Sequence, residues 1–286
     1  MEMSETQAGL QQTQKTIDDF GEQWTRYTEN DGYYASLDLF RDICGPLVQP
    51  EELRGAQVGD IGSGTGRIVR MLLAAGAARV IAVEPSDAFD VLKANTASDA
   101  DKIEYVRGRG EAIPAGRDLD FVVSIGVLHH IFDPAPVVRA AFDALRPGGR
   151  LLVWLYGREG NESYLRFVEP LRCVTTRLPQ PVLAGISHLL NVALAVYIPL
   201  CRVLPLPLRG YMRNVIGHFS WSKRFLVIYD QLNPAVARYY SRAEAEALLA
   251  SAGFADVRLH HRHGYSWTVI GEKPAARRPD QGGARG

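Results

Sequence analysis

The chain has 286 residues, is 47% apolar and 22% charged, and has a formal net charge of zero. This composition is ordinary for a globular protein with a sizeable core, and the neutral balance gives no electrostatic case for a nucleic-acid partner. Three scattered cysteines, Cys44, Cys173 and Cys201, provide neither a disulfide framework nor a zinc site. The polar, acidic N-terminus is not a secretory signal, so we expect a cytoplasmic protein.

Five segments follow one another along the chain. They are a helical lid segment (1–50), a core (51–157), a helical insertion (158–240), a closing helix with two strands (241–272) and a disordered tail (273–286). We also expect residues 1–14 to be disordered, because they contain few apolar residues. The core alternates short apolar runs with helical patterns, which is typical of crossover helices on a parallel sheet. We therefore predict an α/β fold: a doubly wound, Rossmann-like, mainly parallel seven-stranded sheet. The insertion, with two or three helices, falls between the fifth strand and the last helix.

The predicted strands are 57–61, 79–83, 103–107, 119–125, 150–156, 255–261 and 265–271, and helices such as 67–75, 86–95 and 134–145 fill the gaps. The last helix, 241–253, has the clearest start signal. Ser241 is its expected N-cap, and Glu244, three residues later, completes a capping box.

The stretch "VGDIGSGTGR" (58–67) places Gly62, Gly64 and Gly66 directly after the first strand. Ligands of doubly wound sheets bind at that point, and glycine lets a ligand approach the main chain closely, although a tight turn also needs glycine. Glu84 ends the second strand in "VIAVEPS", at a distance along the chain that suits a carboxylate bound to a ribose diol.

The neighbours of these glycines discriminate between ligands. Arg67 stands where a dinucleotide site needs glycine or alanine, and Asp60 would repel a pyrophosphate. The Gly-Lys-Ser/Thr sequence of a P-loop is absent from this stretch. A ligand with an amino group and no phosphate fits better, and S-adenosylmethionine is such a ligand.

Four motifs in order resemble those of the class I S-adenosylmethionine-dependent methyltransferases. They are "VGDIGSGTGR", "VIAVEPS", "RGRGEAIP", and "FVVSIGVLHHIFDP" followed by "LRPGGRLLVWLY", the last similar to the ubiquinone and menaquinone methyltransferase subgroup. The resemblance covers about 55–157 and the closing helix and strands. It implies S-adenosylmethionine as cofactor, bound by Asp60, Gly62, Ser63, Gly64, Gly66, Glu84, Pro85, Glu111, Ala112 and Gly126.

The segment "FGEQWTRYTENDGYYAS" (20–36) is similar to the lid of related small-molecule methyltransferases. Its aromatic residues would then close over the cofactor. We expect Tyr27, Tyr33 and Tyr34, together with Tyr156 at the end of the fifth strand, to bind the acceptor. The alternative is that these rings fill core space.

His129 and His130 follow the fourth strand, beside the expected position of the transferred methyl group. Because imidazole titrates near neutral pH, we assign them as candidate catalytic bases; the alternative is a core or loop contact. Adjacent histidines point in different directions, and the cluster "HHRH" (260–263) lies on a predicted strand. We expect no metal.

The stretch 181–201 has no charged residue and approaches the length of a membrane span, but Gly, Ser, His, Asn and Pro interrupt it. A buried lid helix is the first interpretation. Because arginines flank the stretch, a peripheral contact with the inner face of a membrane remains open.

We thus expect an enzyme that methylates O or N of a small, hydrophobic metabolite. An RNA or protein substrate is disfavoured because the sequence has no basic stripe. A non-catalytic protein that binds a ligand or a membrane is the alternative class, and a nucleotide-dependent oxidoreductase is a weaker one. The oligomeric state stays open.

Overall fold

The computed structural model describes residues 5–234 and 236–275. Its strands are β1 (Gln57–Ile61), β2 (Arg79–Glu84), β3 (Ile103–Arg107), β4 (Leu119–Ile125), β5 (Leu145–Tyr156), β6 (Ala255–Arg262) and β7 (Ser266–Glu272). Within this described part they form a seven-stranded sheet of order β3-β2-β1-β4-β5-β7-β6. The first five strands pair in parallel, whereas β7 is antiparallel to both β5 and β6. The predicted Rossmann-like fold is confirmed.

Helices cover both faces of the sheet. They are α1 (Glu5–Arg26), α2 (Leu37–Cys44), α3 (Arg67–Ala74), α4 (Ala88–Asn95), α5 (Ala135–Ala144), α6 (Glu162–Thr175), α7 (Gln180–Val203), α8 (Arg209–Asn214), α9 (Trp221–Leu232) and α10 (Arg242–Ala250). A first core cluster joins α2, α3 and α4 to the sheet, and a second joins α5 and α10 to its opposite face. A third holds α6, α7 and α9 together at the end of β5. Because both faces are covered, the central strands are apolar along almost their whole length, as in other parallel sheets.

The insertion leaves and rejoins the sheet at one place. Gly157 and Tyr240 form a parallel bridge, and the N–H of Tyr240 donates to the carbonyl of Tyr156. In the described residues between these points the chain forms the helices α6 to α9, more than the two or three expected. The insertion therefore rises from the carboxyl end of β5, the edge at which doubly wound sheets bind ligands.

Helix α1 begins at Glu5, so residues 5–14 are helical although their polar composition predicts disorder; residues 1–4 lie outside the described range. Tertiary packing explains the difference, because Thr16 and Gln23 of this polar helix are almost completely buried. Of the predicted disordered tail, 276–286 also lie outside the described residues.

Helix α7 contains the uncharged stretch 181–201 and is not a buried lid helix. Only 22% of its most apolar window is buried, and Leu189 and Val196 are 71% and 62% exposed. One side of α7 packs on α9 through Leu183 and Asn191, while the other side faces outward. An apolar outer surface therefore takes the place of the expected buried helix.

The capping box at α10 forms as predicted, with the Ser241 hydroxyl accepting from the Glu244 N–H and the Glu244 carboxylate accepting from the Ser241 N–H. We predict that Ser241→Ala lowers the free energy of unfolding by about 1 kcal/mol, because the freed N–H loses its partner. Urea unfolding measures the loss. Ser251→Ala, at the exposed end of the same helix, is the control. Equal stability of the two variants would contradict the role of the cap.

Candidate functional site

After β1 the chain turns back over the end of β2. The N–H groups of Gly62 and Ser63 both donate to the Val83 carbonyl, at 2.9 and 3.0 Å. Gly62 has a φ of +78°, and a Cβ there would lie 2.4 Å from the Val127 Cγ2. Glycine is thus required at Gly62 by both conformation and space. As a result, the turn presents bare main chain to the neighbouring cavity.

The Glu84 carboxylate ties this turn to the end of β2. Its Oε2 accepts from the Gly64 N–H at 2.7 Å, and its Oε1 accepts from the Ser86 N–H at 2.9 Å and the Ser86 hydroxyl at 2.5 Å. A carboxylate offers about four acceptor positions, so one remains for a ligand hydroxyl. Glu84 also lines the cavity, where a ribose diol could reach it.

Asp60 lies beneath the turn rather than on the cavity wall. Its side chain is buried, and Oδ2 has no hydrogen-bond partner among the described residues. Burial raises the pKa of Asp60 to about 7; the Ser63 hydroxyl opposes this shift, and the Glu84 charge adds to it. A cationic group at the turn would favour the charged carboxylate and lower that pKa again.

A cavity of about 930 Å³ lies at the carboxyl ends of the parallel strands. One side, the glycine-loop wall, consists of residues 62–65, 84–86, 109–111 and 126–127. The other side, the insertion wall, is formed mainly by apolar side chains of α6, α7 and α9. Helix α1 lies along the cavity through Ile17, Phe20 and Trp24. The volume is near the upper end for ligand pockets, which leaves room for a cofactor and a second small molecule.

Most of the predicted cofactor residues meet on the glycine-loop wall. Those that line the cavity are Gly62, Ser63, Gly64, Glu84, Pro85, Glu111 and Gly126. Asp60, Gly66 and Ala112 do not: Gly66 is the N-cap of α3, and Ala112 packs against Gly108. The glycine-loop wall therefore contains most, but not all, of the predicted cofactor-binding set.

The two histidines follow β4 as expected, with 4.2 Å between their ring centres, but their surroundings differ. His130 lines the cavity, whereas His129 is fully buried and stacks on Tyr156 at 3.8 Å. Burial lowers the pKa of His129 well below its usual value and that of His130 to about 3. His130 Nδ1 also donates to the Val236 carbonyl at 2.6 Å. Imidazoles with so low a pKa are weak bases near neutral pH, so the geometry does not favour the predicted catalytic role.

The predicted acceptor tyrosines also divide into two groups. Tyr34 and Tyr156 line the cavity. Tyr27 packs against α9 instead, and Tyr33 against the turn Ile216–His218. These two rings thus help to hold the N-terminal segment on the insertion. For Tyr27 and Tyr33 the structure therefore favours the alternative interpretation, that the rings fill core space.

Sequence reasoning missed Asp230 of α9, which lies on the cavity beside the insertion wall. Its Oδ1 accepts from the Gln23 amide, and no donor reaches its Oδ2 in the described part of the chain. Burial raises the pKa of Asp230 to about 7, against the opposing effects of Gln23 and Arg67. Its charge also acts on the ionisation of Tyr34 and Tyr156. Asp230 is therefore a buried carboxyl group on the cavity that interacts electrostatically with Arg67, Tyr34 and Tyr156.

Gln231 was missed as well. Its Nε2 donates to the Tyr156 hydroxyl at 2.8 Å, and its Oε1 accepts from the hydroxyls of Tyr164 and Tyr239, both at 3.0 Å. This network is a small polar patch on a largely apolar wall, an arrangement that orients bound small molecules. No local motif marks Asp230 or Gln231 in the sequence.

Polar contacts also hold α1 against the insertion. The Asn233 amide donates to the Gln23 side chain at 3.1 Å and to the Asp19 carbonyl at 3.3 Å. Phe20 meets the His130 ring edge-on, with 4.9 Å between ring centres. Helix α1 is therefore part of the cavity and not a loose extension.

Comparison with known proteins agrees with this geometry. Residues 59–153 match a family model described as a methyltransferase domain. The tRNA U34 carboxymethyltransferase of Alteromonas mediterranea is 31% identical over 118 residues, which cover 39% of this chain and 36% of that protein. The ubiquinone biosynthesis O-methyltransferase of Dinoroseobacter shibae is 30% identical over 120 residues, covering 42% of this chain and 48% of that protein. Over residues 59–153 this chain is thus similar to S-adenosylmethionine-dependent methyltransferases.

The chain spans less than half the length of either of these relatives. A solved structure of a candidate methyltransferase from Bacillus halodurans is similar in fold across 84% of this chain and 100% of that one, with 16% identity and a TM-score of 0.51. The fold of the methyltransferase core is thus common to proteins of distant sequence, and substrate choice has to be argued from the cavity itself.

The residues of the methyltransferase core fit S-adenosylmethionine. The bare turn at Gly62 to Gly64 admits a ligand close to the main chain, and Glu84 keeps one acceptor position for a ribose hydroxyl. The unpartnered Asp60 oxygen beneath the turn suits a nearby cation such as the amino group of the cofactor. None of these groups favours a phosphate.

We predict that Glu84→Gln weakens binding of S-adenosylmethionine by about 10- to 100-fold, the usual effect of losing a hydrogen bond to a charged group. Isothermal titration calorimetry gives the affinity. Glu104→Gln, which neutralises an exposed carboxylate on β3, is the matched control and should bind as the wild type does. Wild-type affinity in Glu84→Gln, with both variants folded, would refute the ribose contact.

Proposed function

We propose that this chain transfers a methyl group from S-adenosylmethionine to an oxygen or nitrogen of a small, apolar molecule. One observation carries the proposal: a single cavity joins the glycine-loop wall, which fits the cofactor, to an apolar insertion wall beside it. The cofactor would lie on the first wall and the acceptor on the second. The transferred group would then pass between them, near Asp230 and Tyr156.

Methyl transfer is an in-line displacement, so the nucleophile must stand about 3 Å from the methyl carbon. The bound sulfonium supplies an activated methyl group, which leaves positioning and proton removal to the protein. Apolar side chains of the insertion wall exclude water and hold the acceptor. The Gln231 network fixes the Tyr156 hydroxyl, which can orient a polar group of the acceptor.

Asp230 is the group best placed to take the proton of the acceptor. It lies on the cavity with a free Oδ2, and its pKa of about 7 matches a base that works at neutral pH. The histidines are less suited because burial keeps their pKa values low. Asp230 therefore replaces His129 and His130 as the proposed base.

The nature of the insertion wall favours a small apolar acceptor over tRNA, the substrate named for one relative. Leu194, Val227 and Ile228 line it, and such aliphatic side chains bind hydrophobic molecules rather than nucleotides. Contact with a membrane, which the sequence left open, stands as a separate proposal below.

The direct test uses methyl-labelled S-adenosylmethionine and an organic extract of the source cells. We expect enzyme-dependent label in a small molecule that partitions into the organic phase, and much less label with Glu84→Gln at a cofactor concentration near the wild-type Kd. Label in RNA or in water-soluble products would overturn the proposed acceptor class. Cofactor binding without any transfer would favour the non-catalytic alternative.

We predict that Asp230→Asn lowers kcat by about 10²- to 10⁴-fold, the range for loss of a general base. Because the base must be deprotonated, wild-type kcat should rise with pH up to about 7 and then level off, and the variant should lose this rise. Asp133→Asn, a carboxylate elsewhere on the same cavity, is the control and should retain it. If Asp230→Asn instead raises KM for the cofactor at unchanged kcat, Asp230 binds the cofactor and is not the base.

A further inference from the structure

The two sides of α7 do not divide into an apolar inner side and a polar outer side. The inner side buries Leu183, Ile198 and Cys201 together with the polar Ser187 and Asn191, and the Asn191 amide donates to the Trp221 carbonyl. The outer side is aliphatic. A helix packed on a soluble protein normally turns its apolar side inward and its polar side to water.

The outer side of α7 forms one continuous row at helical spacing, which we call the outer row. It consists of Val182, Leu189, Val192, Val196, Leu200 and Val203, which are 42–75% exposed.

 Residues three, four and seven apart share one side of a helix, so the row is a single stripe along α7. Monomeric proteins rarely expose an apolar stripe of this length without a partner for it.

The cavity wall continues to the surface beside this row. Leu190 of α7 and Phe167 and Leu171 of α6 line the cavity and are also 37%, 80% and 38% exposed. An apolar path thus runs from the surface between α6 and α7 to the insertion wall. A hydrophobic molecule held next to the outer row could follow that path without crossing water.

The segment 170–229, which contains α7, carries charge of one sign only, although Lys223 within it pairs with Asp31. Residues 170–229 contain seven Lys and Arg residues and no Asp or Glu, although the whole chain is neutral. Arg177 and Arg202 stand near the two ends of α7, and neither has a carboxylate partner within the described residues. Unpaired basic residues beside an apolar stripe complement an anionic lipid surface.

The observations favour a helix that lies on the membrane over one that crosses it. Helix α7 has 24 residues, and its most apolar 18-residue window has a mean hydropathy of 1.7, so it is long and apolar enough to span a bilayer. However, its inner side packs on α9, and Ser187 and Asn191 face that contact. Crossing would expose these polar groups to lipid, which is costly.

We propose that the outer row of α7 docks on an anionic membrane surface, so that the opening between α6 and α7 faces the bilayer. The docking itself is independent of methyl transfer. That the acceptor arrives from the bilayer rests on the proposed function. A nucleic acid fits the basic charge but not the aliphatic row, and a second copy of the chain fits the row but not the positive charge.

The test is co-sedimentation of the full chain with vesicles of phosphatidylcholine mixed with phosphatidylglycerol, and with vesicles of phosphatidylcholine alone. We expect binding to the mixed vesicles that is at least tenfold tighter than to the neutral ones. Leu189→Glu/Val196→Glu should weaken binding to the mixed vesicles at least tenfold. Ala243→Glu/Ala250→Glu adds the same charges at the same spacing on exposed positions of α10, and it should bind like the wild type.

Four results would overturn the docking proposal. Three of them are wild-type binding by Leu189→Glu/Val196→Glu, failure of the wild type to bind mixed vesicles, and a dimer in light scattering that this variant dissociates. Binding of tRNA in preference to the mixed vesicles would equally overturn it. Calorimetry with S-adenosylmethionine separates the two proposals, because Leu189→Glu/Val196→Glu should bind the cofactor normally. If the wild type binds the mixed vesicles but transfers no methyl group, the proposed function alone is refuted.

Discussion

The hydrogen bond from the Gly64 N–H to Glu84 fixes the place at which the rest of the site is built. It joins the turn after β1 to the carboxyl end of β2, and the Gly62 and Ser63 N–H groups reinforce it through the Val83 carbonyl. Because these contacts consume the polar groups of the turn on its inner side, the opposite side is left as bare main chain. The cavity, the cover formed by α1 and the insertion wall are all arranged around that surface.

Much of the core could be predicted from the sequence because its signals are local. The strands, the glycine turn after β1 and the capping box at Ser241 each depend on residues within a few positions of one another. The remaining parts depend on contacts between distant segments. Asp230 reaches the cavity from an insertion helix, and the polar helix α1 is ordered only because it packs on other elements.

The histidines show why position along the chain does not establish a chemical role. Both follow β4, which is where a base would be sought. Their surroundings then decide the chemistry: His129 is enclosed against Tyr156, and burial takes protons from both rings. Burial acts in the opposite sense on Asp230, because it disfavours the charge in each case. The neutral net charge was similarly uninformative, since it averages over a strongly basic segment and the rest of the chain.

The position of α1 has a consequence for the order of events in a catalytic cycle. This helix lies over the turn that would hold the cofactor, with Gly21 close to Ser86 and Trp24 near Gly64. The exposed cavity-lining residues of α6 and α7, Phe167, Leu171 and Leu190, lie on the insertion wall instead. Because the two ligands would enter the cavity from different sides, the acceptor can exchange while the cofactor stays bound under α1. Release of the spent cofactor would then require α1 to move, a conformational step of the kind that limits turnover in many enzymes.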